Sequence, residues 1–402
     1  MFYRFQYIFL FFLSLVLLIS LESQKVLSFP LSQSSELRGV WLTNIDSDIL
    51  FSKQKLTESI STLKQLNFNT LYPTVWNWGY TLYPSKVAKQ VIGKEIDPTE
   101  ALQNRDIIQE ILDQGHRKGM TVIPWFEFGF MAPADSELAK RHPEWLTQRR
   151  DKSTIWLEGK VHQRVWLNPL HPEVQEFITD LVVELLNNYD IDGIQFDDHF
   201  GYPSDFGYDS LTVQLYQQEH QGKLPPTNHL DKDWIQWRAD KITAYMEQLV
   251  QAIKLNNSEA VVSVSPNPQT FSLEAFLLDW HTWERMGLIE ELVIQVYRSN
   301  INDYIRELQK SELQLAKTHI PVGIGILSGL KGRPVNRKNI AEQVKIAREN
   351  GFAGVSFFFY ESLWNIADEP LEQRRTIFKD LFPTSAIHPN IFRGWSPQAS
   401  KG

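Results

Sequence analysis

The chain of 402 residues contains no cysteine. This absence excludes disulfides, zinc sites built from thiolates, a cysteine nucleophile and a lipid anchor attached through cysteine. The chain also lacks any long run of like charge and any coiled-coil heptad repeat. Its formal net charge of -8 provides no basic surface for nucleic acid. The sequence therefore indicates a protein that needs no oxidation to fold and that does not bind nucleic acid.

The N-terminal segment has a different composition from the rest of the chain. Residues 8–21 form an uninterrupted apolar stretch of 14 residues, preceded by one arginine and no acidic residue. This length is short for a transmembrane span and typical of a signal-peptide core. The small and aliphatic residues of "VLS" predict cleavage after Ser28, so residues 1–28 are a signal peptide. Retention as an uncleaved anchor is the alternative, and only this segment would then contact a membrane. We predict export to the periplasm, the cell envelope or the outside of the cell.

The remaining composition is globular, with 43% hydrophobic and 22% charged residues. Eight apolar, β-rich segments recur along the chain, each followed by a helix-like stretch. Near-continuous apolar strands that alternate with helices are typical of a parallel sheet covered by helices. Eight such units predict an α/β fold, a closed (β/α)8 TIM barrel over residues 36–383, followed by a flexible tail over 384–402. A doubly wound open sheet is the alternative. The strands are predicted near Arg38, Asn69, Thr121, Asp192, Ala260, Glu291, Ile320 and Gly354, and the helices over 53–66, 106–118, 172–189, 234–254, 302–317, 336–350 and 371–382.

The spacing of the strands indicates where a site lies. Most strand starts are 30 to 32 residues apart, but the intervals after strands two, three and four are 52, 72 and 68 residues. In a barrel of this kind the loops that follow the strands build the active-site face. Loops of this length in a compact barrel are usually functional, so the extra residues predict a covered cleft on one side of the barrel mouth.

Side-chain alternation separates the two adjacent aspartates of "GIQFDDHF", residues 193–200. Gln195 and Asp197 share the face that points to the barrel axis, so Asp197 ends the strand pointing into the mouth. Asp198 follows the outward face and must turn with the loop to take part. The same reasoning brings further polar side chains to the mouth or to the strand ends: Asn44, Asp46, Glu127, Asn267, Gln295, Tyr297, Tyr360 and Glu361.

Carboxylates at neighbouring strand ends fit glycoside hydrolysis, which needs one protonated and one ionised carboxyl group. Asp197 and Glu127 come from neighbouring strands, which lie roughly 5 Å apart. We predict Asp197 as nucleophile or base and Glu127 or Asp198 as proton donor. Trp76 and Trp78 are predicted stacking platforms for sugar rings. The predicted substrate-binding residues are Asn44, Trp76, Trp78, His199, Asn267, Gln295, Tyr297, Tyr360 and Glu361.

Each candidate also has a structural interpretation. Asp198 could cap a turn or pair with an arginine, and His199 could be a hydrogen-bonding loop residue. Glu127 could be the buried partner of Arg38 or Arg164, and the tryptophans could belong to the core. Consecutive residues do not easily converge on one ion, which argues against a metal at the two aspartates and the histidine. We therefore predict no metal and no cofactor.

Five motifs along the chain carry a family resemblance: "ELRGVWLTN", "NFNTLYPTVW", "GMTVIPWFEF", "VWLNPLHPEVQEFI" and "YDIDGIQFDDHF". Together they resemble the glycosyl-hydrolase-like 10 family, also called domain of unknown function 187. The resemblance covers about residues 36–359, with the motifs of strands one and four the most specific. It implies a (β/α)8 barrel, export or a place in the cell envelope, and action on glycosidic bonds, including those of bacterial envelope glycans such as peptidoglycan.

The resemblance also implies functional positions. It carries over to the strand-four aspartates, to Arg38 and Asn44 of strand one, and to the Asn168–Pro169 pair. Many relatives have Asn-Pro where this chain has Glu127 and Phe128, so the assignment of Glu127 depends on strand geometry alone.

The leading hypothesis is an exported glycoside hydrolase whose partner is a polysaccharide or peptidoglycan glycan. A non-catalytic glycan-binding protein on the same barrel is the second hypothesis. An anchored scaffold for envelope partners, with the apolar segment retained, is the third.

Overall fold

The computed structural model describes residues 34–397. The predicted signal peptide, residues 1–28, lies outside the described residues, and so do the last five residues of the predicted tail. Within the described part, no helix has both the length and the apolar character needed to cross a membrane.

Eight parallel strands alternate with helices, as the sequence predicts. Every predicted strand is present, although the third is divided into two short segments. The strands are β1 (Leu37–Leu42), β2 (Thr70–Pro73), β3 (Thr121–Val122 and Trp125–Phe126), β4 (Gly193–Asp197), β5 (Val261–Ser265), β6 (Glu291–Gln295), β7 (Val322–Leu327) and β8 (Gly354–Phe358).

The divided strand β3 closes the sheet into a barrel. Its first segment pairs with β2, through Thr70 opposite Thr121, and its second pairs with β4, through Gln195 opposite Trp125. The other strands follow in the order β2, β1, β8, β7, β6, β5 and β4. Pro124, which has no N–H to donate, separates the two segments, and its carbonyl accepts from the Gln195 N–H at 2.8 Å. Because one strand forms both edges of the sheet, the (β/α)8 barrel is confirmed and the open-sheet alternative is excluded.

Helices cover the outside of the barrel. The prediction missed the pair of short helices after β5, which are too short for a clear 3.6-residue period. It also predicted one helix over 302–317, where the structure has two helices separated at Gln309 and Lys310. The covering helices are Lys53–Gln65, Ile107–Arg117, Pro172–Asn188, Lys232–Asn256, Gln269–Phe276, Trp280–Arg285, Ile301–Leu308, Ser311–Ala316, Arg337–Glu349 and Leu371–Leu381.

The long loops after β2, β3 and β4 carry structure of their own. A three-stranded antiparallel sheet in the loop after β3 consists of Met131–Pro133, Trp156–Glu158 and His162–Trp166. The other loop elements are the hairpin of Trp76–Asn77 with Tyr80–Thr81, and the helices Lys86–Ile92, Glu137–Arg141 and Ser210–Glu219.

A chain of buried polar contacts crosses the barrel interior. Trp41 donates through Nε1 to Gln195 Oε1 at 2.7 Å, and Gln195 Nε2 donates to Ser263 Oγ at 2.9 Å. Ser263 and Tyr72 both donate to Glu291 Oε1, at 2.7 and 2.9 Å. Burial raises the pKa of Glu291 to about 7, against which these two hydrogen bonds act. The inward orientation of Gln195, predicted from strand alternation, is confirmed, and Ser263 of the neighbouring strand faces inward as well.

The segment after Phe382, which the sequence predicts to be a flexible tail from residue 384, packs against the base of the barrel over its described part. The Thr384 carbonyl accepts from the Arg38 guanidinium, and the Ala386 carbonyl accepts from Asn69 Nδ2 at 3.0 Å. His388 is buried, with Nδ1 2.9 Å from Thr70 Oγ1. The polar composition of this segment gave no indication of these contacts. Its partners are buried groups that lie far away in the sequence.

Arg38 therefore belongs to the base rather than to the mouth. It begins β1 and pairs with Glu36 at 2.7 Å, with its guanidinium 4.8 Å from the Phe382 ring centroid. The functional position that the resemblance implied for Arg38 is structural in this chain.

Removal of the tail should destabilise the barrel. A chain that ends after Pro383 loses one acceptor of Arg38, one acceptor of Asn69 and the contact of His388 with Thr70. Each buried polar group left unsatisfied costs about 1–3 kcal/mol of unfolding free energy, measurable by chemical denaturation. A chain that ends after Pro397 is the matched control and should keep the full stability. Equal stability of the two truncated chains would contradict the docking.

Candidate active site

A cavity of about 320 Å³ opens at the carboxyl ends of the strands, the end at which active sites of (β/α)8 barrels lie. Side chains from at least five strand ends and from the loops after β3, β5 and β7 contribute to it. The lining residues are Ile45, Asp46, Trp125, Glu127, Glu158, Asp197, Asp198, His199, Asn267, Phe276, Gln295, Tyr297, Leu330, Phe358 and Phe359.

Glu127 follows the second segment of β3 and is buried. Its Oε2 accepts from Thr43 Oγ1 and Thr74 Oγ1 at 2.9 Å and from Asn77 Nδ2 at 2.8 Å. Burial raises its pKa to about 7; the two threonine hydrogen bonds act against this shift and the Asp197 charge adds to it. A carboxyl group with such a pKa holds its proton in a large fraction of molecules near neutral pH. Glu127 is therefore suited to proton donation.

No arginine pairs with Glu127, so that structural interpretation is wrong. Arg38 lies at the barrel base, and Arg164 pairs instead with Glu158 at 2.8 Å. The three partners of Glu127 are all uncharged, which leaves its carboxyl group free to titrate.

Asp197, the last residue of β4, faces the cavity as the alternation predicts. One of its oxygens, Oδ1, accepts from the His199 backbone N–H at 2.9 Å and lies 3.0 Å from His199 Nδ1. Burial lowers the His199 pKa, but the charge and hydrogen bond of Asp197 outweigh burial and raise it to about 9. The imidazole is therefore a cation at neutral pH, and it holds the Asp197 carboxylate in a fixed orientation.

The ring of His199 is held between aromatic side chains. Trp166 stacks on it with ring centroids 5.8 Å apart and an interplanar angle of 29°, and Phe128 lies 6.1 Å away. His199 thus does more than hydrogen-bond within its loop, since it connects Asp197 to the sheet that covers the cavity.

Asp198 turns back into the cavity through the short 3-10 helix Asp198–Phe200. Its Oδ2 accepts from the Asn267 backbone N–H at 2.9 Å and from the Asn267 side chain, and its Oδ1 contacts the Ser272 hydroxyl. Burial raises its pKa, against these hydrogen bonds. The Ser272 hydroxyl also lies 2.8 Å from the Asn267 carbonyl, its second possible acceptor. Among residues 34–397, Asp198 has no arginine partner.

Two glycines, Gly129 and Gly201, allow the loops after β3, β4 and β5 to pack closely against one another. Gly129 has φ +46°, and a Cβ there would lie 2.2 Å from the His199 carbonyl oxygen. A Cβ at Gly201 would lie 1.9 Å from the Phe276 carbonyl oxygen. Any larger residue would push apart the loops after β3, β4 and β5.

Three other predicted residues line the cavity. Asn267 and Gln295 present amides, with Gln295 Nε2 donating to the Ser265 carbonyl at 2.6 Å. Tyr297 has its pKa raised well above the usual value by burial and by the charges of Asp197 and Asp198. Its hydroxyl therefore stays protonated as a donor beside the carboxyl groups.

The tryptophan predictions are corrected by the structure. Trp76 is fully buried and donates through Nε1 to the Gly129 carbonyl at 2.8 Å, so it cannot stack on a sugar. Trp78 is 39% exposed at the tip of its hairpin, but it does not line the cavity. Alternation along a strand cannot distinguish a core tryptophan from a cleft tryptophan, because both follow the same apolar pattern.

Three further predicted binding residues lie outside the cavity lining. Asn44 accepts from Asn77 Nδ2 at 2.8 Å, which places it behind Glu127 as a positioning group. Tyr360 and Glu361 begin the helix Tyr360–Trp364, and Glu361 accepts from the Ser47 hydroxyl at 3.3 Å. The helix directs these two side chains away from the cavity.

The Asn168–Pro169 pair is also structural. The Asn168 side chain donates to Asp209 at 3.0 Å and to Thr212 at 2.9 Å, which joins the loops after β3 and β4.

Glu158 and Phe276 line the cavity but were not predicted. Glu158 comes from the sheet within the loop after β3, and Phe276 ends the helix Gln269–Phe276. Neither lies on a barrel strand, so strand alternation gave no signal for them. Over residues 34–397, no group of three or more acidic or histidine side chains is arranged to hold a metal ion.

A closed (β/α)8 barrel with carboxyl groups gathered at the carboxyl ends of its strands is the architecture of a large class of glycoside hydrolases. The chain belongs to the glycosyl hydrolase-like 10 family, whose model matches residues 36–346. This confirms the resemblance found in the sequence motifs and the predicted enzyme class, a glycoside hydrolase.

Curated relatives are similar along most of the barrel. Glycosyl hydrolase DigH of Escherichia coli O6:H1 is 25% identical over 310 residues, which span 66% of this chain and 66% of DigH. The match thus leaves about a third of DigH uncovered. Glycosyl hydrolase YngK of Bacillus subtilis is 21% identical over 401 residues, with 89% of this chain and 74% of YngK covered.

Solved structures share the fold. The glycoside hydrolase domain of PgaB (BpsB) from Bordetella bronchiseptica superposes with a TM-score of 0.62 at 13% identity, covering 86% of this chain and 99% of that domain. The catalytic domain of β-amylase from Paenibacillus polymyxa has a TM-score of 0.59 at 12% identity, covering 87% of this chain and 99% of that domain.

Substitution Asp197→Asn should lower the pKa of His199 from about 9. The charge that holds the imidazole protonated is then gone, while burial, which favours the neutral ring, remains. NMR titration of the imidazole would measure the shift. Asp46→Asn is the matched control at the exposed rim and should leave the His199 titration in place; an unshifted titration in Asp197→Asn would contradict the ion pair.

Proposed function

We propose that this protein is an exported hydrolase that cleaves glycan chains by paired-carboxylate chemistry. Glu127 donates a proton to the leaving oxygen, and Asp197 acts as nucleophile or base. The observation that carries the proposal is the difference between two adjacent carboxyl groups. Glu127 has its pKa raised to about 7 by burial, whereas Asp197 is paired with a cationic histidine. Glycosidic cleavage requires one carboxyl group that donates a proton and a second that acts as nucleophile or base.

The strand register supports the pairing of these two residues. Gln195 lies opposite Trp125 and Phe196 opposite Phe126, so the residues that follow, Glu127 and Asp197, leave adjacent strand ends. Adjacent strands lie about 4.8 Å apart, which brings both carboxyl groups within reach of one sugar ring. Asp198, also with a raised pKa, is the second candidate for the proton donor.

The remaining cavity groups fit a role in substrate binding. Asn267 and Gln295 present amides, and Tyr297 presents a phenol that stays protonated. These groups can hydrogen-bond the hydroxyls of a sugar. Polar side chains that converge in an otherwise apolar pocket orient a ligand rather than stabilise a core.

The proposal also includes a substrate and a location for the protein. The resemblance of the strand-one and strand-four motifs supports a bacterial envelope glycan, with peptidoglycan strands as the first candidate. The apolar stretch over residues 8–21 supports export. Mass analysis of the N-terminus of the protein isolated from cells tests the location, since cleavage after Ser28 removes this stretch.

The chemical step is tested by Asp197→Asn and Glu127→Gln. Each should lower the release of reducing ends from denuded peptidoglycan by about 10²–10⁴-fold, the usual range for a lost acid or base. Intact peptidoglycan and a panel of glucans extend the assay, and Asp233→Asn, at an exposed position on the helix Lys232–Asn256, is the control. Glycan binding without turnover in the unsubstituted protein would favour the non-catalytic alternative. Equal turnover by the protein and by Asp197→Asn would remove Asp197 from the mechanism.

The pH dependence identifies the proton donor. If Glu127 donates, kcat/KM should fall as the pH rises through about 7, because the carboxyl group loses its proton. In Glu127→Gln this limb disappears, since an amide does not titrate. Thr74→Val removes a hydrogen bond to the carboxylate and should move the limb to higher pH. If the limb stays at the same pH in both variants, Asp198 becomes the preferred donor.

A further inference from the structure

Three aromatic side chains form a continuous surface that starts in the cavity and ends in solvent. We call Phe276, Phe271 and Trp156 the aromatic ridge. Phe276 lines the cavity, and its ring centroid lies 5.9 Å from that of Phe271 and 6.4 Å from that of Trp156. Phe271 is 51% exposed, and Trp156 is partly exposed. The ridge therefore continues the cavity outward along one side of the barrel mouth.

The backbone contacts of Phe276 hold the inner end of the ridge in place. The Tyr202 N–H donates to the Phe276 carbonyl and the Ser204 N–H donates to the Ala275 carbonyl, both at 2.9 Å. Gly201 lies against the same carbonyl, with no space for a Cβ. The helix that carries Phe271 and Phe276 is thus fixed to the loop that carries the catalytic aspartates.

Trp156 is fixed by a separate set of contacts. It packs edge-on against the buried Trp166, with ring centroids 5.8 Å apart and an interplanar angle of 75°. Trp166 in turn stacks on His199, the partner of Asp197. A ligand that binds a surface held in place before binding loses little conformational entropy.

The cavity by itself is too small for a glycan chain. Its volume of about 320 Å³ lies at the low end of the range of about 300–1,000 Å³ for pockets that enclose small ligands. A chain that places one sugar between Glu127 and Asp197 must therefore continue outside the cavity. Exposed aromatic rings next to a cavity mark interaction sites, and the apolar C–H face of a pyranose packs well on such rings.

We infer that the aromatic ridge is a second sugar-binding subsite and that the ligand is a glycan chain of at least two sugar residues. The sugars next to the cleaved bond stack on Phe271 and Trp156. Phe276 lies between these two rings and the cavity that holds Glu127 and Asp197. This inference rests on the proposed function for the position of the cleaved bond. The binding of a chain to the ridge does not itself require turnover.

The test measures how affinity depends on chain length in Asp197→Asn, in which turnover is removed. The probes are N-acetylglucosamine, its β-1,4-linked oligomers up to the hexasaccharide and denuded peptidoglycan strands. Calorimetry gives Kd for the soluble sugars, and pull-down gives binding to the strands. With an intact ridge, affinity should rise with chain length. Adding Phe271→Ala and Trp156→Ala should weaken binding of the longest oligomer by about tenfold, equivalent to about 1.4 kcal/mol, and leave binding of the monosaccharide unchanged.

Two matched variants distinguish a loss of binding at the aromatic ridge from a general effect of substitution on the protein. Phe271→Tyr keeps the ring and should restore most of the affinity that Phe271→Ala loses. Phe392→Ala removes an aromatic ring, 42% exposed, within the tail, and should leave the affinity for every oligomer unchanged. Three results would overturn the ridge as a sugar-binding subsite. They are unchanged affinity in the ridge variants, an equal loss of affinity for short and long oligomers, and no rise in affinity with chain length for any probe. A ridge that binds chains in a protein that cleaves none would instead count against the proposed function alone.

Discussion

The closure of the barrel at β3 is the constraint on which the rest of the molecule depends. Pro124 divides this strand, so that its first segment satisfies the edge of β2 and its second satisfies the edge of β4. Closure leaves no unpaired edge in the sheet. It also brings the end of β3 beside the end of β4, which places Glu127 next to Asp197. The same backbone pairing that completes the fold therefore assembles the carboxyl pair.

The two carboxyl groups of that pair are both buried, but they have different hydrogen-bond partners. Glu127 receives hydrogen bonds only from neutral donors, so burial dominates and its pKa rises to about 7. Asp197 has His199 beside it, and the pair is held by stacked aromatic rings. Environments that separate the titrations of two neighbouring carboxyl groups let one act as acid and the other as base. The function proposed for this member of the glycosyl hydrolase-like 10 family depends on this difference.

The long loops convert a barrel mouth into a shaped site. The loop after β3 supplies Glu158 and Trp156, while the helix after β5 supplies both Ser272, which contacts Asp198, and Phe276, which lines the cavity. One short helix thus contacts the Asp198 carboxyl group and presents an apolar surface to the cavity. This arrangement connects the proposed binding of a glycan chain to the geometry of the proposed catalytic groups.

The amino-acid pattern by itself determined the barrel and the inward residues of its strands, since apolar alternation and the spacing of the strands are local properties. It correctly directed Asp197, Glu127, Asn267, Gln295 and Tyr297 to the cavity. Only the tertiary structure decided which loop residues reach the site. Trp76 is buried, Tyr360 and Glu361 turn away with a helix, and Glu158 and Phe276 enter from loops without periodicity. It also docked the tail on the barrel base. Contacts between segments distant in sequence leave no local pattern, because they depend on where closure of the barrel places each loop.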